Sequence, residues 1–169
     1  MIQILKNRIL KGVVTRRIEP SCSKEIEDVG SELRAFIWKK FGRSLNIREV
    51  DTGSCGACES EIISANNPIY DLQRFGINFV ASPRHADCLL VTGPVSKNMF
   101  IALKKTYEAV PSPKFVITCG DCALDGGLFK DSYYVQGSVE DIFPVVLHIP
   151  GCPPNPLAII SALLKALRK

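Results

Sequence analysis

No apolar run in this chain approaches the roughly 20 residues that a membrane-spanning helix needs, so a transmembrane segment is not expected. The apolar positions near the start are broken by Lys and Arg, which argues against a signal peptide and for a cytoplasmic location. Histidine is scarce: His85 and His148 are the only two, and their spacing is not that of a ligand pair. Internal repeats and low-complexity segments are missing, which excludes solenoid and tail-like architectures. Acidic residues are absent from the first 17 positions, which hold Lys6, Arg8, Lys11, Arg16 and Arg17. A basic start of this kind suits nucleic acid, anionic lipid or an acidic partner. No nucleic-acid motif accompanies it, so a nucleic-acid role is not expected.

What is present fits one compact domain with an added segment. The chain has 169 residues, 46% of them apolar and 22% charged, which is enough for a packed core. Charge is unevenly distributed. Residues 1–50 carry 11 Lys or Arg against 6 Asp or Glu, whereas the remainder carries 10 against 11.

Ile2, Leu5, Ile9, Leu10 and Val13 fall at helical spacing and predict a short basic amphipathic helix. Residues 24–40 predict a second helix, with Ser23 as N-cap, Glu25, Glu27 and Asp28 in the first turn, and Gly42 ending it. From residue 45 short apolar runs alternate with helical segments. Strands are expected at Leu45–Val50, Ile77–Ala81, Cys88–Thr92, Lys114–Thr118 and Val145–Ile149. Helices are expected at Glu59–Ala65, Lys97–Ala109 and Leu157–Leu167, the last apolar nearly all round and hence buried. Alternation of this kind predicts an α/β fold of the flavodoxin-like, three-layer type, with a central parallel sheet. The expected division is an N-terminal helical extension over 1–44, for partner or membrane docking, and an α/β domain over 45–169.

Seven cysteines in a chain expected to be cytoplasmic point to metal or redox chemistry rather than disulfides. Cys55 and Cys58 follow the first strand, Cys119 and Cys122 the fourth, and Cys152 the fifth. Loops at the carboxyl ends of parallel strands cluster in space, so residues far apart in sequence can converge there. Cys22 lies outside this set, and Cys88 opens an apolar strand and reads as a small core residue. Three chemistries compete for the convergent thiols. A 4Fe–4S cluster needs four thiolates. Structural zinc takes the same donors, although its pairs usually lie closer together in sequence. A catalytic dithiol at Cys55–Cys58 leaves Cys122 and Cys152 without a role. Gly53, Gly56, Gly120, Gly126, Gly127 and Gly151 crowd the same loops, where they serve as turns or admit backbone N–H groups to a cluster.

Several motifs in order carry a resemblance. They are D-T-G-S-C-G-A-C-E-S-E-I at 51–62, R-F-G-I at 74–77, S-P-R-H-A-D at 82–87, L-L-V-T-G-P at 89–94, G-D-C-A-L-D-G-G at 120–127 and I-P-G-C-P-P at 149–154. From about residue 50 onward the chain resembles the 20-kDa subunit family of NADH:quinone oxidoreductase, with the small subunits of membrane-bound NiFe hydrogenases and formate hydrogenlyase. The resemblance implies an oxidoreductase subunit that is not catalytic alone. It implies one 4Fe–4S cluster held by Cys55, Cys58, Cys122 and Cys152, with Cys122 preferred over Cys119 because it occupies the family's G-x-C position. Gly56 and Ala57 separate the first two cysteines, which resembles the hydrogenase branch; complex I members generally have them adjacent. The implied partners are a large catalytic subunit, a ferredoxin-like electron-transfer subunit and integral membrane subunits, with this chain peripheral on the cytoplasmic face. Glu61 matches a family acid near the cluster and is a candidate proton relay, set against a plain helix-start acid; Glu59 is less favoured. Arg74 and Arg84 match family positions that pair with acids at a subunit boundary. His85 and His148 read as structural or exposed, and Tyr133 and Tyr134 as packing residues.

Overall fold

The computed structural model describes residues 21–168, together with Lys6, Ile9, Leu10 and Gly12. The expected basic helix over residues 2–13 therefore lies largely outside the described residues. Helix α1 (Ser21–Phe41) buries Ile26, Leu33 and Ile37 completely, a stripe at helical spacing. Ser23 lies inside this helix rather than capping it, and the acids fall beyond its first turn, because the helix starts at Ser21, further upstream than the charge pattern suggests. Gly42 ends it as expected, at φ 65 with its N–H donating to the Trp38 carbonyl at 3.0 Å.

Strands β1 (Leu45–Asp51), β2 (Ile77–Phe79), β3 (Cys88–Thr92), β5 (Phe115–Cys119) and β7 (Val145–Ile149) form one five-stranded sheet in the order β2-β1-β3-β5-β7. Every pairing within it is parallel. This is the flavodoxin-type order, with its topological switch between β1 and β3. All five residues of β3 are buried, as expected of the central strand of a parallel sheet covered on both faces. Strand β4 (Val95–Ser96) pairs antiparallel with β6 (Val135–Gly137) in a small second sheet that the sequence pattern did not suggest.

Two cores flank the large sheet. On one face Leu45, Ile47, Leu90, Ile117, Cys119 and Ile149 meet α1, α2 (Ala57–Ala65) and α5 (Pro156–Arg168). On the other Leu89, Val91 and Val116 meet α3 (Lys97–Ala109) through Leu103. The alternation follows from the two-residue period of a strand. Helix α5 buries Ile159, Ile160, Leu163, Leu164 and Leu167, in line with its apolar sequence. Where α1 crosses Phe75, Gly30 permits the contact, since a Cβ there would lie 2.2 Å from the ring. Arg74 stacks on Phe75 and pairs with Glu27 at 2.5 Å. Arg74 thus has an acid partner within the chain, brought to it by α1. Among the described residues no helix is long and apolar enough to cross a membrane.

Candidate metal centre

Three loops at the carboxyl edge of the sheet, those after β1, β5 and β7, bring Cys55, Cys58, Cys122 and Cys152 to one small crevice. Gly93 and Pro94, which follow β3, line it as well. Cys55 and Cys152 are exposed and Cys58 and Cys122 half-buried. The crevice lies at the crossover edge where parallel α/β sheets bind ligands. Cys88 is fully buried in the sheet, as expected. Cys119 differs from expectation. Strand β5 runs one residue further than the pattern suggests, so Cys119 is its last residue, fully buried, rather than a member of the following loop. Cys22 is in α1.

Backbone hydrogen bonds stiffen each loop. Asp51 Oδ1 accepts from the N–H groups of Gly53 and Ser54 at 2.8 and 2.7 Å. The buried Thr52 hydroxyl donates to the carbonyls of Thr92 and Gly93 at 2.7 and 3.0 Å, tying the β1 loop to β3. The Asp121 N–H donates to the Gly151 carbonyl at 2.9 Å, and Asp121 Oδ1 accepts from the Gly151 N–H at 2.8 Å. That reciprocal pair clamps the Cys122 loop to the Cys152 loop. His148 backs it: its Nδ1 lies 2.9 Å from Thr118 Oγ1 and its Nε2 3.9 Å from Asp121 Oδ1. Burial holds the imidazole below its ordinary value. His85 is exposed, so neither histidine lines the crevice.

Helix α2 begins at Ala57, two residues earlier than the sequence suggests, so Cys58 sits in its first turn. No side chain caps this end, and the positive end of a helix dipole favours thiolate there. Cys122 lies in the short helix α4 (Asp121–Asp125). Two glycines leave space for sulfur. A Cβ on Gly120, at φ 89, would lie 2.5 Å from Cys58 Sγ, and one on Gly127 would lie 2.8 Å from Cys122 Sγ.

The electrostatics fit a positive metal group. Burial, first, and then the nearby Cys152, Cys55 and Cys58 push the Cys122 thiol upward. Thiolates gathered this closely repel one another unless a cation neutralises them. Four sulfur donors with no imidazole beside them are a donor set suited to iron–sulfur or zinc. Among the described residues no three His, Cys, Asp or Glu side chains close on one point as a single-ion site.

A second polar feature adjoins the first. Arg48, Glu49 and Glu59 line a cleft of about 320 Å³ between α2, β1 and the end of β2. Both carboxylate oxygens of Glu59 and the Nε of Arg48 are buried without a protein partner. Burial raises the Glu49 carboxyl above its ordinary range, against the hydrogen bond from Thr92 Oγ1 at 3.2 Å. Glu59, the less favoured acid in the sequence, is thus the one with a sequestered carboxylate, while Glu61 is half-buried on the same helix. For Glu49 the signal was the parity of β1: it alternates with Leu45 and Ile47 on one face, which puts an acid in an inward register. Tyr133 and Tyr134 are not packing residues: they are 85% and 42% exposed and edge-on to each other, because β6 starts only at Val135. Leu128, 93% exposed, and Phe129, which lines the crevice, extend an apolar surface beside it.

A flavodoxin-type sheet with a thiol crevice at its switch edge defines the class: an α/β protein with a cluster of cysteines at the carboxyl edge of its sheet. The chain belongs to the family of the NADH ubiquinone oxidoreductase 20-kDa subunit, whose pattern it matches over residues 55–166. It is 45% identical over 135 residues to the probable membrane-bound hydrogenase subunit mbhJ of Pyrococcus furiosus, covering 80% of this chain and 81% of that protein. It is 41% identical over 142 residues to formate hydrogenlyase subunit 7 of Escherichia coli, covering 84% of this chain but 56% of that longer protein. Among solved structures, a chain of the membrane-bound sulfane sulfur reductase, an archaeal respiratory membrane complex, superposes with a TM-score of 0.67 at 33% identity, covering 80% of this chain and 74% of that one.

Proposed function

We propose that this chain is the electron-transfer small subunit of a membrane-associated NiFe hydrogenase or formate-hydrogenlyase-like complex, and that Cys55, Cys58, Cys122 and Cys152 hold one 4Fe–4S cluster. The observation that carries the reading is the convergence of these four thiols, from three separate loops, on one crevice. When bound, such a cluster supplies one-electron storage and transfer at a potential set by its surroundings. The chain supplies the rest. Cys58 and Cys122 hold the inner side, and the exposed Cys55 and Cys152 face outward, toward a neighbouring redox centre. The uncapped start of α2 offsets the thiolate charge, and Gly120 and Gly127 keep room for the sulfurs. The clamp between Asp121 and Gly151 fixes the spacing of two ligand loops.

The bond-making site lies on a large partner subunit, with a ferredoxin-like subunit delivering or removing electrons and integral membrane subunits anchoring the assembly on the cytoplasmic face. The basic stretch ahead of α1 suits membrane or partner docking. Glu61 is the proposed proton relay beside the cluster. The similarity to membrane-bound hydrogenase and formate hydrogenlyase subunits, with the two-residue gap at Gly56 and Ala57, supports this branch. A quinone-reducing role of the complex I type is the second reading, supported by the family itself.

Anaerobic purification of the intact complex tests the proposal. About four iron and four acid-labile sulfide are expected in this chain, over and above those its partner subunits hold, with a paramagnetic signal on reduction. Zinc without sulfide rejects the cluster in favour of a zinc-stabilised interaction module. Reduction by hydrogen gas supports the hydrogenase branch, whereas reduction by a quinol and not by hydrogen assigns the chain to the second reading.

A further inference from the structure

Helix α1 leads into β1 and helix α5 returns from β7, so both finish at the amino edge of the parallel sheet, the pole opposite the cysteine crevice. The two ends adjoin there. Phe36, Lys39 and Lys40 of α1 and Leu167 and Arg168 of α5 line a groove of about 370 Å³. Leu167 is buried and Phe36 half-buried, whereas the three cations are exposed, so the groove has an apolar floor and a basic rim. Charge of one sign gathers at this pole. Residues 33–48 hold Arg34, Lys39, Lys40, Arg43 and Arg48 without an acid, and no acid follows Asp141. Arg43 is matched by Asp87 at 2.6 Å, and Arg168 by Glu32. Lys39, Lys40 and Lys165 are exposed, and among the described residues none of them is in an ion pair.

We propose that this pole docks on an anionic lipid surface, with Lys39 and Lys40 on the headgroup phosphates and Trp38 in the interfacial layer. The proposal rests on the membrane-associated reading above and deepens it. It places a lipid contact on the folded domain itself, apart from the basic stretch ahead of α1.

Charge complementarity points to an anionic surface, and the aromatic points to lipid rather than to an acidic protein. The negative end of a helix by itself favours cations in a last turn, but it leaves Trp38 unexplained. This residue, the chain's single tryptophan, is 51% exposed in the same turn as Lys39 and Lys40. An indole has an apolar body and one N–H donor, and the headgroup level of a bilayer satisfies both. The groove repeats the pattern, since a basic rim over an apolar floor suits a phosphate and the first carbons of its acyl chains. Placement agrees with this. Docking at the amino pole leaves the crevice, with its exposed Cys55 and Cys152, free for a redox partner.

The test uses the full chain and reads Trp38 directly, since no other residue gives indole emission. Vesicles of phosphatidylglycerol mixed with phosphatidylcholine are expected to shift that emission to the blue, and lipids brominated on the acyl chain to quench it. Vesicles of phosphatidylcholine alone are expected to do neither, and added salt to reverse the shift. Lys39→Gln combined with Lys40→Gln is expected to weaken vesicle binding about thirtyfold, at about fivefold for each charge. Lys39→Arg combined with Lys40→Arg keeps the charge and is expected to bind like wild type. Both side chains are exposed, so the fold is expected to survive in all four substitutions. Vesicle binding with unchanged Trp38 emission overturns the proposal, because the basic stretch ahead of α1 then makes the contact alone. Undiminished binding by the Gln variant refutes it too. Absence of binding to either vesicle also overturns it, and shielding of Trp38 in the assembled complex then assigns this pole to an acidic partner subunit. Failure of the redox reading shows separately, in iron and sulfide content and in reduction by hydrogen, neither of which this assay reads.

Discussion

Helix α2 divides two polar sites of opposite construction. On one side of its first turn lies the cysteine crevice, made of soft, weakly solvated thiols on loops that are closed by their own hydrogen bonds. On the other lies the cleft of Arg48, Glu49 and Glu59, made of strongly hydrated ions, two of which bury polar atoms without a protein partner. The crevice is pre-organised before anything binds, because its backbone groups are satisfied internally. The cleft is held in place by the packing of α2 on β1 through Ile62 and Ile47, and its charges carry the cost of desolvation. The difference teaches that rigidity and charge burial are separate features of this rim. The candidate ligands sit where the structure is satisfied, and the strained electrostatics lie one helix face away.

The sharpest way to break the comparison is to remove one candidate ligand. Cys58→Ala or Cys122→Ala is expected to abolish iron and sulfide binding by this chain while leaving the fold intact by circular dichroism, since both thiols are only half-buried, at the edge of the core. Retention of full iron content in both variants would falsify the ligand assignment. Next comes Gly120→Ala, which is expected to destabilise the chain by about 1–3 kcal/mol and lower iron occupancy. Its Cβ would meet Cys58 Sγ at 2.5 Å, at a backbone φ of 89 that suits glycine. Denaturant melts and iron analysis read the two effects. Thr52→Val leaves the Gly93 carbonyl without the hydroxyl that ties β1 to β3. A loss of about 1–2 kcal/mol is expected in the same melts.

Acidification separates the two sites. His148 is held below its ordinary value of 6.5 by burial, so its neutral form is the one the fold prefers. Its contribution is present above that value and is lost as the pH falls toward its own lower pKa, below which the loss levels off. Melts from pH 8 to pH 5 should show this decline, and His148→Gln should flatten it. Glu49 has the opposite sense and the smallest expected effect. Burial raises its carboxyl, so ionisation costs stability as the pH climbs from the ordinary carboxyl range through its raised one. Glu49→Gln should therefore be slightly more stable than wild type at neutral pH and equal to it in acid. A less stable variant at neutral pH would mean that the ionised form has a partner in the assembled protein.

Much of the fold was legible because its signals are local. Three elements, Cys88–Thr92, Lys97–Ala109 and Val145–Ile149, match the expected bounds to the residue. Each is an apolar or amphipathic run stopped by Gly, Pro or a polar cap. The end of β5 and the exposure of Tyr133 were not legible, since each depends on what packs across from it. The cysteines at 55, 58, 119, 122 and 152 were legible as a group because strand ends in a parallel sheet converge. The preference for Cys122 over Cys119 came from family resemblance, and the structure adds a physical difference: one thiol lines the crevice and the other is buried beneath it.

By its own pattern the sequence determined the α/β alternation, the positions of its breaks and the presence of thiols at three strand ends, because propensity, periodicity and turn chemistry act over a few residues. Only the tertiary structure decided which thiols share a crevice, which one is sealed in the sheet and which acid loses its water. Those outcomes depend on the packing of elements from distant parts of the chain, and no short window of sequence contains both partners of such a contact.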